Sequence, residues 1–366
     1  MTLVEPDAPG EPLPVLWICG APGTGKSVTA WQLFESHRDE QVAYVDVDQI
    51  KMLAPEPGDH FDLAVANLAG LVEVHRRLGT RALIVSGVIL PRELPVLEAG
   101  VAGRAAVTWV LTEVDEDTLR HRIRARGWPE QLVEMVVDEA RAWRNEPVAV
   151  RIDTAATTPA AAAGVASTVL RLRPSPAALV HTDPEPDEGD DLDVVYGTRA
   201  IGKSTISWGL FTDCAGRGEP TGYLDADQLG FVHADATLRD RLVRLAVSAL
   251  ARNFAAAGAQ RTVVNGNLST GLVASFHGSR ASLLHLDAPR EVLVERIAGR
   301  HGGDDARLAG DDLVRATSQT RAAVLERALQ QRDEYAGTTP LAHRVDVSDA
   351  HVDGHVRTLR DLLAMP

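Results

Sequence analysis

Short apolar runs alternate with amphipathic stretches along this chain of 366 residues. The runs are rich in Val, Ile and Leu, which is typical of buried strands, and the stretches between them have the spacing of helices. In the first half of the chain, the predicted strands cover residues 15–20, 42–46, 82–86, 106–111 and 148–152. The predicted helices cover residues 26–37, 63–78, 117–125, 129–144 and 159–172. This alternation predicts an α/β fold with a parallel sheet and helices on both faces.

The second half of the sequence repeats landmarks of the first half in the same order. The segment GAPGTGKS at 20–27 has a counterpart in GTRAIGKS at 197–204, and YVDVDQI at 44–50 has one in YLDADQL at 223–229. The pair GKSVTAWQLF and GKSTISWGLF is identical at six of ten positions, including Trp31 and Trp208, which we expect in the core. We therefore predict a duplicated domain, with a first copy at 1–173, a linker at 174–191 and a second copy at 192–366.

Charge and composition exclude several classes of protein. The chain has 37 Lys plus Arg against 51 Asp plus Glu, and its net charge of −14 argues against a broad nucleic-acid surface. The proline-rich, acidic linker is typical of an extended tether. No apolar stretch approaches the roughly 20 residues of a membrane span, and the N-terminus does not resemble a signal peptide, so we expect a cytoplasmic protein. Neither of the two cysteines has a CxxC neighbour, so no zinc site or disulfide framework is indicated.

Both repeated loops follow the pattern G-x-x-x-x-G-K-S between a predicted strand and a predicted helix. Glycines let backbone amides turn toward phosphate oxygens, and the helix presents its positive end, so we predict ATP as a ligand. Lys26 and Lys203 would reach the outer phosphates, and Ser27 and Ser204 would ligate Mg²⁺. The predicted nucleotide-binding residues are Gly20, Gly23, Thr24, Gly25, Lys26, Ser27 and Val28 in the first copy, and Gly197, Ile201, Gly202, Lys203, Ser204 and Thr205 in the second.

Two details of the loops bear on this interpretation. The chain has only three lysines, Lys26, Lys51 and Lys203, and two of them stand in the repeated loops. The second loop differs from the first because Arg199 and Ala200 replace a Pro-Gly pair. A copy that has lost catalysis and serves a structural or regulatory role is therefore the alternative for the second half. The sequence lacks the Asn-Lys-x-Asp motif of GTPases, and its third strands do not end in Asp-Glu, which disfavours a hydrolytic motor.

The first copy resembles the small P-loop kinases that act on gluconate, shikimate, adenylylsulfate and nucleoside monophosphates. The residues that carry the resemblance are the 20–27 loop, Asp46 and Asp48 after the second strand, Arg122 and Arg126 on a helix, and the 153–154 pair after the last strand. The chain is also similar to kinase-like actinobacterial proteins labelled only as AAA family ATPases. This resemblance implies two tandem P-loop domains of the nucleoside-monophosphate-kinase type.

The resemblance also implies roles for these residues. Asp46 or Asp48 would hold an acceptor hydroxyl and take its proton, although the pair could instead share Mg²⁺ with Ser27, or Asp48 could cap a turn. Arg122 and Arg126 would neutralise the transferred phosphoryl group, with a solvated basic face as the alternative. The equivalent residues of the second copy are Lys203, Asp225, Asp227, Arg296 and Arg300, followed by a predicted lid at 301–312.

The sequence as a whole favours an ATP-dependent kinase that transfers the γ-phosphoryl group to a hydroxyl or phosphate of a small metabolite. Arg92 is a candidate contact for an anionic group of that acceptor, and the second copy has no arginine there. A nucleotide-gated binding or regulatory protein with one or both copies inactive is the alternative, and a toxin-like kinase acting on a nucleotide sugar is a third. The two copies could pack as an intramolecular pseudo-dimer, or the chain could form a homodimer.

Overall fold

Two α/β units make up the structure, a computed structural model that describes residues 11–55, 60–174, 191–276, 280–299, 316–338, 342–349 and 351–364. Unit 1 contains Met1–Asp48, Ala64–His181 and Phe231–Ala234. Unit 2 contains Gln49–Leu63, Thr182–Gly230 and Asp235–Pro366. Each unit therefore includes one short segment from the other half of the chain. The domain boundaries drawn from the repeat stay a prediction.

The helices and strands alternate along both halves of the chain. In the first half they are β1 (Leu13–Cys19), α1 (Lys26–Glu35), β2 (Val42–Asp46), β3 (Leu53–Ala54), α2 (Phe61–Arg77), β4 (Ala82–Ser86), α3 (Leu94–Val101), β5 (Ala105–Glu113), α4 (Glu116–Ala125), α5 (Glu130–Ala142), β6 (Val150–Asp153) and α6 (Pro159–Ser167). In the second half they are β7 (Leu192–Gly197), α7 (Lys203–Gly216), β8 (Thr221–Asp225), α8 (Ala226–Leu229), α9 (Ala236–Ala256), β9 (Arg261–Gly266), α10 (Thr270–Ser275), β10 (Ala281–Asp287), α11 (Arg290–Gly299), α12 (Ser318–Thr338), β11 (His343–Asp346) and α13 (Val352–Leu363).

The sheets of the two units have the same order of main strands. In unit 1 the order is β2-β4-β1-β5-β6, and in unit 2 it is β8-β9-β7-β10-β11, with β3 added beside β8. All neighbouring pairs are parallel except β3 with β8. The predicted α/β class with parallel sheets flanked by helices is thus confirmed. In each unit the loop that follows the middle strand leads into a helix at the carboxyl edge of the sheet, where open parallel sheets bind ligands.

The outer strand that precedes the Asp-x-Asp segment is covered in each unit by an antiparallel piece of chain. In unit 1, the amide of Tyr44 donates to the carbonyl of Phe231, at 2.9 Å, and the ring of Phe231 lies 4.9 Å from that of Trp31. In unit 2, β3 pairs with β8 in the same way. Covering an edge removes a row of unpaired backbone groups that would otherwise attract other strands.

Two expectations about local structure are wrong. The predicted helix 159–172 ends at Ser167, because the chain after it turns to the sheet edge, where the amide of Arg173 donates to the carbonyl of Arg81 at 3.1 Å. Trp208, expected in the core, is 45% exposed in unit 2. None of the helices in the described ranges combines the length and the apolar character that a membrane crossing needs.

Candidate active site

The loop between β1 and α1 is a tight turn built on three glycines. Gly20, Gly23 and Gly25 have φ angles of 141°, 87° and 88°, which side chains other than glycine's rarely allow. A Cβ atom on Gly20 would lie 2.4 Å from the backbone oxygen of Thr112, so the loop lies directly against the end of β5. Thr24 fixes the turn from within, since its hydroxyl donates to the carbonyl of Ala21 at 2.8 Å. The loop therefore has the conformation that the P-loop pattern predicts.

Helix α1 begins at Lys26 without a side chain that caps it. Its N-cap residue, Gly25, has no side chain to accept from the first-turn amides. These amides and the positive end of the helix are therefore available to an anion. Val28, the last predicted binding residue of this loop, is 53% exposed at the start of the helix.

The side chain of Lys26 is buried within the loop. Burial lowers the pKa of its ammonium group, while the carboxylates of Asp48 and Asp46 act in the opposite direction. Arg126 lowers this pKa and Glu139 raises it, so both side chains lie within electrostatic reach of the ammonium group. The charges of Asp46, Asp48 and Arg126, three of the predicted site residues, therefore all act on Lys26, together with that of Glu139 from α5.

A hydrogen-bonded network links the loop to β2 and β4. One oxygen of Asp46, Oδ2, accepts from the hydroxyls of Ser27 at 3.3 Å and Ser86 at 3.0 Å. The other, Oδ1, accepts from the amide of Asp48 at 3.0 Å, and the hydroxyls of Tyr44 and Ser86 are 2.8 Å apart. Burial, with the neighbouring charge of Asp48, raises the pKa of Asp46. A carboxylate and a hydroxyl therefore meet where a phosphate-bound cation would lie.

These two oxygen donors fit magnesium. Mg²⁺ prefers hard oxygen ligands and is usually held by one or two protein groups together with substrate phosphates and water. Ser27 and Asp46 supply one hydroxyl and one carboxylate beside the loop. Within the described ranges there is no group of three or more His, Cys, Asp or Glu side chains that would form an all-protein cage.

Arg122 bridges the phosphate loop to the segment that follows β6. Its guanidinium donates to the carbonyl of Gly23 at 3.1 Å, and to the hydroxyl and the carbonyl of Thr154, both at 3.2 Å. The Thr154 hydroxyl in turn donates to the carbonyl of Thr24 at 2.7 Å. In this structure Arg122 therefore holds the backbone of the loop, whereas Arg126 is exposed and acts on Lys26 through its charge.

The second copy forms a similar loop with a different set of contacts. Ala200 takes the place of Gly23 and keeps the left-handed backbone, with a φ angle of 63°. The ammonium group of Lys203 donates to the carbonyl of Thr198 at 3.0 Å. Ser204 donates at 3.3 Å to the amide oxygen of Asn265, which takes the place of Ser86. The serine is thus bonded to a neutral amide here and to a carboxylate in the first copy.

The remaining predicted residues of the second copy lie around this loop. Burial, reinforced by the charge of Asp227, raises the pKa of Asp225 to about 7. Asp227 accepts from the amide of Asn267 at 2.9 Å. Arg296 donates to the carbonyl of Ile201 at 2.7 Å and to that of Val347 at 2.5 Å, which repeats the Arg122 bridge.

The other predicted residues of the second loop differ in exposure. Gly197 and Gly202 have positive φ angles of 158° and 103°, Ile201 is buried and Thr205 is exposed. Arg300 and the predicted lid at 301–312 lie outside the described residues.

Three residues of the site were given no role of their own by the sequence. Ser86 is visible only as the polar last residue of an apolar strand, and Thr154 only as part of the pair after β6. Glu139 is one of several acids on α5, and no spacing marks it as the one whose charge acts on Lys26. A sequence signal therefore exists for the first two, whereas the position of Glu139 depends on how α5 packs.

Parts of the chain are similar to a known family and to several solved structures. A family model described as an AAA domain matches residues 15–147. Similar solved structures include a sugar kinase from Janibacter sp. HTCC2649, with 16% identity and a TM-score of 0.35, where the match covers 43% of this chain and 94% of that one. The Deinococcus radiodurans tunicamycin resistance protein is 22% identical, with a TM-score of 0.36 and coverages of 44% and 99%. Shikimate kinase from Bacteroides thetaiotaomicron is 12% identical, with a TM-score of 0.33 and coverages of 48% and 99%. A search of curated proteins finds no match to the chain.

Proposed function

We propose that this protein is an ATP-dependent small-molecule kinase and that its first copy carries the reaction. The observation that carries the proposal is the buried ammonium group of Lys26, set in a glycine turn beside the Ser27–Asp46 pair. An ammonium group and uncapped helix amides bind the outer phosphates of a nucleoside triphosphate. The match of residues 15–147 to the AAA domain family supports this assignment.

Each residue of the first site has a separate role in phosphoryl transfer. Ser27 and Asp46 would hold Mg²⁺, which when bound neutralises charge on the phosphate oxygens. The acceptor hydroxyl oxygen forms a bond to the γ-phosphorus while the bond from that phosphorus to the bridging oxygen breaks, and ADP leaves. The hydroxyl proton passes to the carboxylate of Asp48, because Asp46 is assigned to the cation in this proposal. Lys26 and Arg126 stabilise the charge that develops on the transferred group.

We further propose that the chain is a tandem duplication and that its second copy binds nucleotide without turnover. The common order of the main strands supports the duplication. The bond from Ser204 to an amide oxygen supports the loss of turnover, because that copy lacks a carboxylate bonded to the serine. The second candidate function, a nucleotide-gated regulator, follows if the first copy is also without turnover.

The three lysines of the chain provide a matched experiment. MgATP is titrated calorimetrically into wild type, Lys26→Ala, Lys203→Ala and the control Lys51→Ala, and a metabolite panel is then screened for acceptor-dependent ADP release. Lys26→Ala should weaken one binding event by about 100-fold and abolish ADP release, because it removes a charge-assisted contact. Lys203→Ala should affect the other binding event and leave turnover intact.

The same measurements separate the alternatives. A Lys26→Ala protein that binds and turns over like Lys51→Ala would contradict the kinase assignment. MgATP binding that depends on Lys26 but never leads to acceptor-dependent ADP release would favour the nucleotide-gated regulator.

A further inference from the structure

One buried position beside the phosphate loop carries a different side chain in each unit. It is Ser86 near the carboxyl end of β4 in unit 1 and Asn265 near that of β9 in unit 2. In the registers of the two sheets, Ser86 lies beside Asp46 of β2, and Asn265 lies beside Asp225 of β8. Both side chains are fully buried, so protein groups rather than bulk water satisfy their hydrogen bonds. The same place in the fold therefore holds a hydroxyl in one unit and an amide in the other.

In unit 1, the hydroxyl of Ser86 acts on the carboxylate that Ser27 contacts. Because an ionised carboxylate only accepts hydrogen bonds, Ser86 donates its one hydroxyl hydrogen to Oδ2 of Asp46, at 3.0 Å. The hydroxyl of Tyr44, 2.8 Å away, must then donate to the oxygen of Ser86. Oδ2 is also the atom that accepts from Ser27, at 3.3 Å. Ser86 thus holds one carboxylate oxygen in place beside the phosphate loop.

In unit 2, the amide of Asn265 takes the hydrogen bond of the loop serine. Its nitrogen donates to the hydroxyl of Tyr223 at 2.9 Å and to the carbonyl of Leu224 at 3.3 Å. Because a carbonyl oxygen can only accept, the second bond fixes the orientation of the amide, and the amide oxygen accepts from Ser204 at 3.3 Å. Within the residues that the structure describes, no hydrogen bond joins Ser204 to Asp225.

The surroundings of the two carboxylates are otherwise alike. Oδ1 of Asp46 accepts from the amide of Asp48 at 3.0 Å, and Oδ1 of Asp225 accepts from the amide of Asp227 at 2.9 Å. A tyrosine hydroxyl is hydrogen-bonded to the variable side chain in both units. The side chain at position 86 or 265 therefore accounts for the different bonding of the two loop serines.

We infer that Ser86 is a positioning residue for the magnesium site of unit 1, and that Asn265 withholds this metal from unit 2. The inference rests on the proposed function of the two copies and names the residue that makes them differ. Mg²⁺ is held by carboxylates and other hard oxygen donors together with phosphates. With Ser86 present, the carboxylate of Asp46 and the hydroxyl of Ser27 stand together to receive the cation. With Asn265 present, the serine is bonded to a neutral oxygen, so unit 2 binds ATP with little help from the metal.

The test measures the magnesium preference of each unit, which is the dissociation constant of ATP in EDTA divided by that in MgCl₂. Both constants come from calorimetry on the full-length protein without an acceptor. The Lys203→Ala protein reports on unit 1, and the Lys26→Ala protein reports on unit 2. The preference of unit 1 should exceed that of unit 2 by about tenfold, because a carboxylate bonded to the serine adds a full charge beside the cation.

Changing the variable side chain should move this preference in opposite directions. In the Lys26→Ala protein, Asn265→Ser should raise the preference of unit 2 by about tenfold, and Asn265→Ala, which adds no hydroxyl, should raise it less. In the Lys203→Ala protein, Ser86→Ala should lower the preference of unit 1 by about tenfold. Damage to the fold cannot produce a gain in metal preference, so Asn265→Ser decides the matter even if Ser86→Ala is unstable.

Thr80→Val and Thr262→Val are the matched controls. Each removes a buried hydroxyl, before β4 or near the amino end of β9, at the end of the strand away from the phosphate loop, and should leave the preference unchanged. The inference is overturned if the two units have equal preferences, or if Asn265→Ser brings no more gain than Asn265→Ala. It is also overturned if a folded Ser86→Ala protein behaves like Thr80→Val.

These outcomes are distinct from failure of the proposed function. ATP binding that needs Lys26 and Lys203, with a metal preference that ignores the side chain at 86 or 265, would overturn only this inference. If ATP binding needs Lys26 alone, the proposed nucleotide site of unit 2 fails, and Ser86→Ala decides the inference for unit 1. ATP binding that needs neither lysine would overturn the kinase proposal itself.

Discussion

Replacing Gly20 by alanine should destabilise unit 1 much more than the same replacement at Gly127. Both glycines have positive φ angles, 141° and 73°. A Cβ atom at Gly20 would lie 2.4 Å from the backbone oxygen of Thr112 and 2.7 Å from the hydroxyl oxygen of Thr24, whereas at Gly127 it would have no neighbour within 4 Å. The pair therefore separates the cost of steric overlap from the cost of the backbone conformation.

The expected magnitudes follow from these two costs. A left-handed alanine costs about 1–2 kcal/mol, which is the whole effect expected for Gly127→Ala. At Gly20 the overlap involves a backbone oxygen that belongs to β5 and cannot rotate away, and overpacking of this kind adds about 1–3 kcal/mol. Gly20→Ala should therefore lower the free energy of unfolding by about 2–5 kcal/mol and displace the loop amides that bind phosphate.

Tryptophan fluorescence can report on unit 1 alone. The chain has six tryptophans, and Trp208 is the one that belongs to unit 2. In a Trp208→Phe background, urea unfolding followed by fluorescence gives the free energy for unit 1, and calorimetry with MgATP measures binding to the same variants. Trp208 is 45% exposed, so this background change should have little effect on stability.

Equal losses of stability in Gly20→Ala and Gly127→Ala would refute the steric argument. Normal MgATP affinity in Gly20→Ala would refute the assignment of this turn to the phosphates, even if the protein were less stable.

Further tests concern the contacts of Arg122, the buried carboxylate of Asp193 in β7, and Ala200 in the second loop. Arg122→Ala removes three hydrogen bonds from a charged group and should destabilise unit 1 by about 2–3 kcal/mol in urea unfolding, whereas the exposed Arg124→Ala should have little effect. Burial raises the pKa of Asp193 from 3.8 to about 6, so its stabilising contribution is full below about pH 4 and is lost as the pH rises through 6. Relative to Asp193→Asn, wild-type unit 2 should therefore lose about 3 kcal/mol of stability between pH 4 and pH 7, and a pH-independent difference would contradict this. Ala200→Gly relieves a left-handed alanine and should stabilise unit 2 by about 1 kcal/mol, which a thermal melt can check; no gain would mean that the loop is unstrained.

Patterns that act within a few residues predicted much of the fold. The strands at 42–46 and 82–86 have the predicted bounds, because buried apolar runs are local properties of the sequence. Helix α3, at 94–101, was missed, since it follows a proline-rich turn and is short. The glycines of the first loop were predicted because their backbone conformation restricts the residue type.

Features that depend on tertiary packing were not predicted. A two-residue strand such as β3 carries no signal for the sheet it joins, so its pairing with β8 could not be foreseen. The partners of Arg122 are mostly backbone carbonyls, which every residue has, so its bridging contacts have no sequence pattern. Trp31 and Trp208 are equivalent in sequence, but Phe231 covers only the first, and no local rule distinguishes them.

Because each unit includes a segment from the other half of the chain, cutting the protein between its two halves would remove part of each unit. A fragment that stops in the acidic segment near residue 180 would retain its glycine turn but would lose Phe231–Ala234. The backbone groups at the edge of β2 that pair with this segment would then be exposed. The complementary fragment would lack β3 and would leave β8 open. Each piece would then be prone to self-association, and mixing the two should restore solubility that neither has by itself. Activity lost on truncation would therefore say little about which half performs the chemistry.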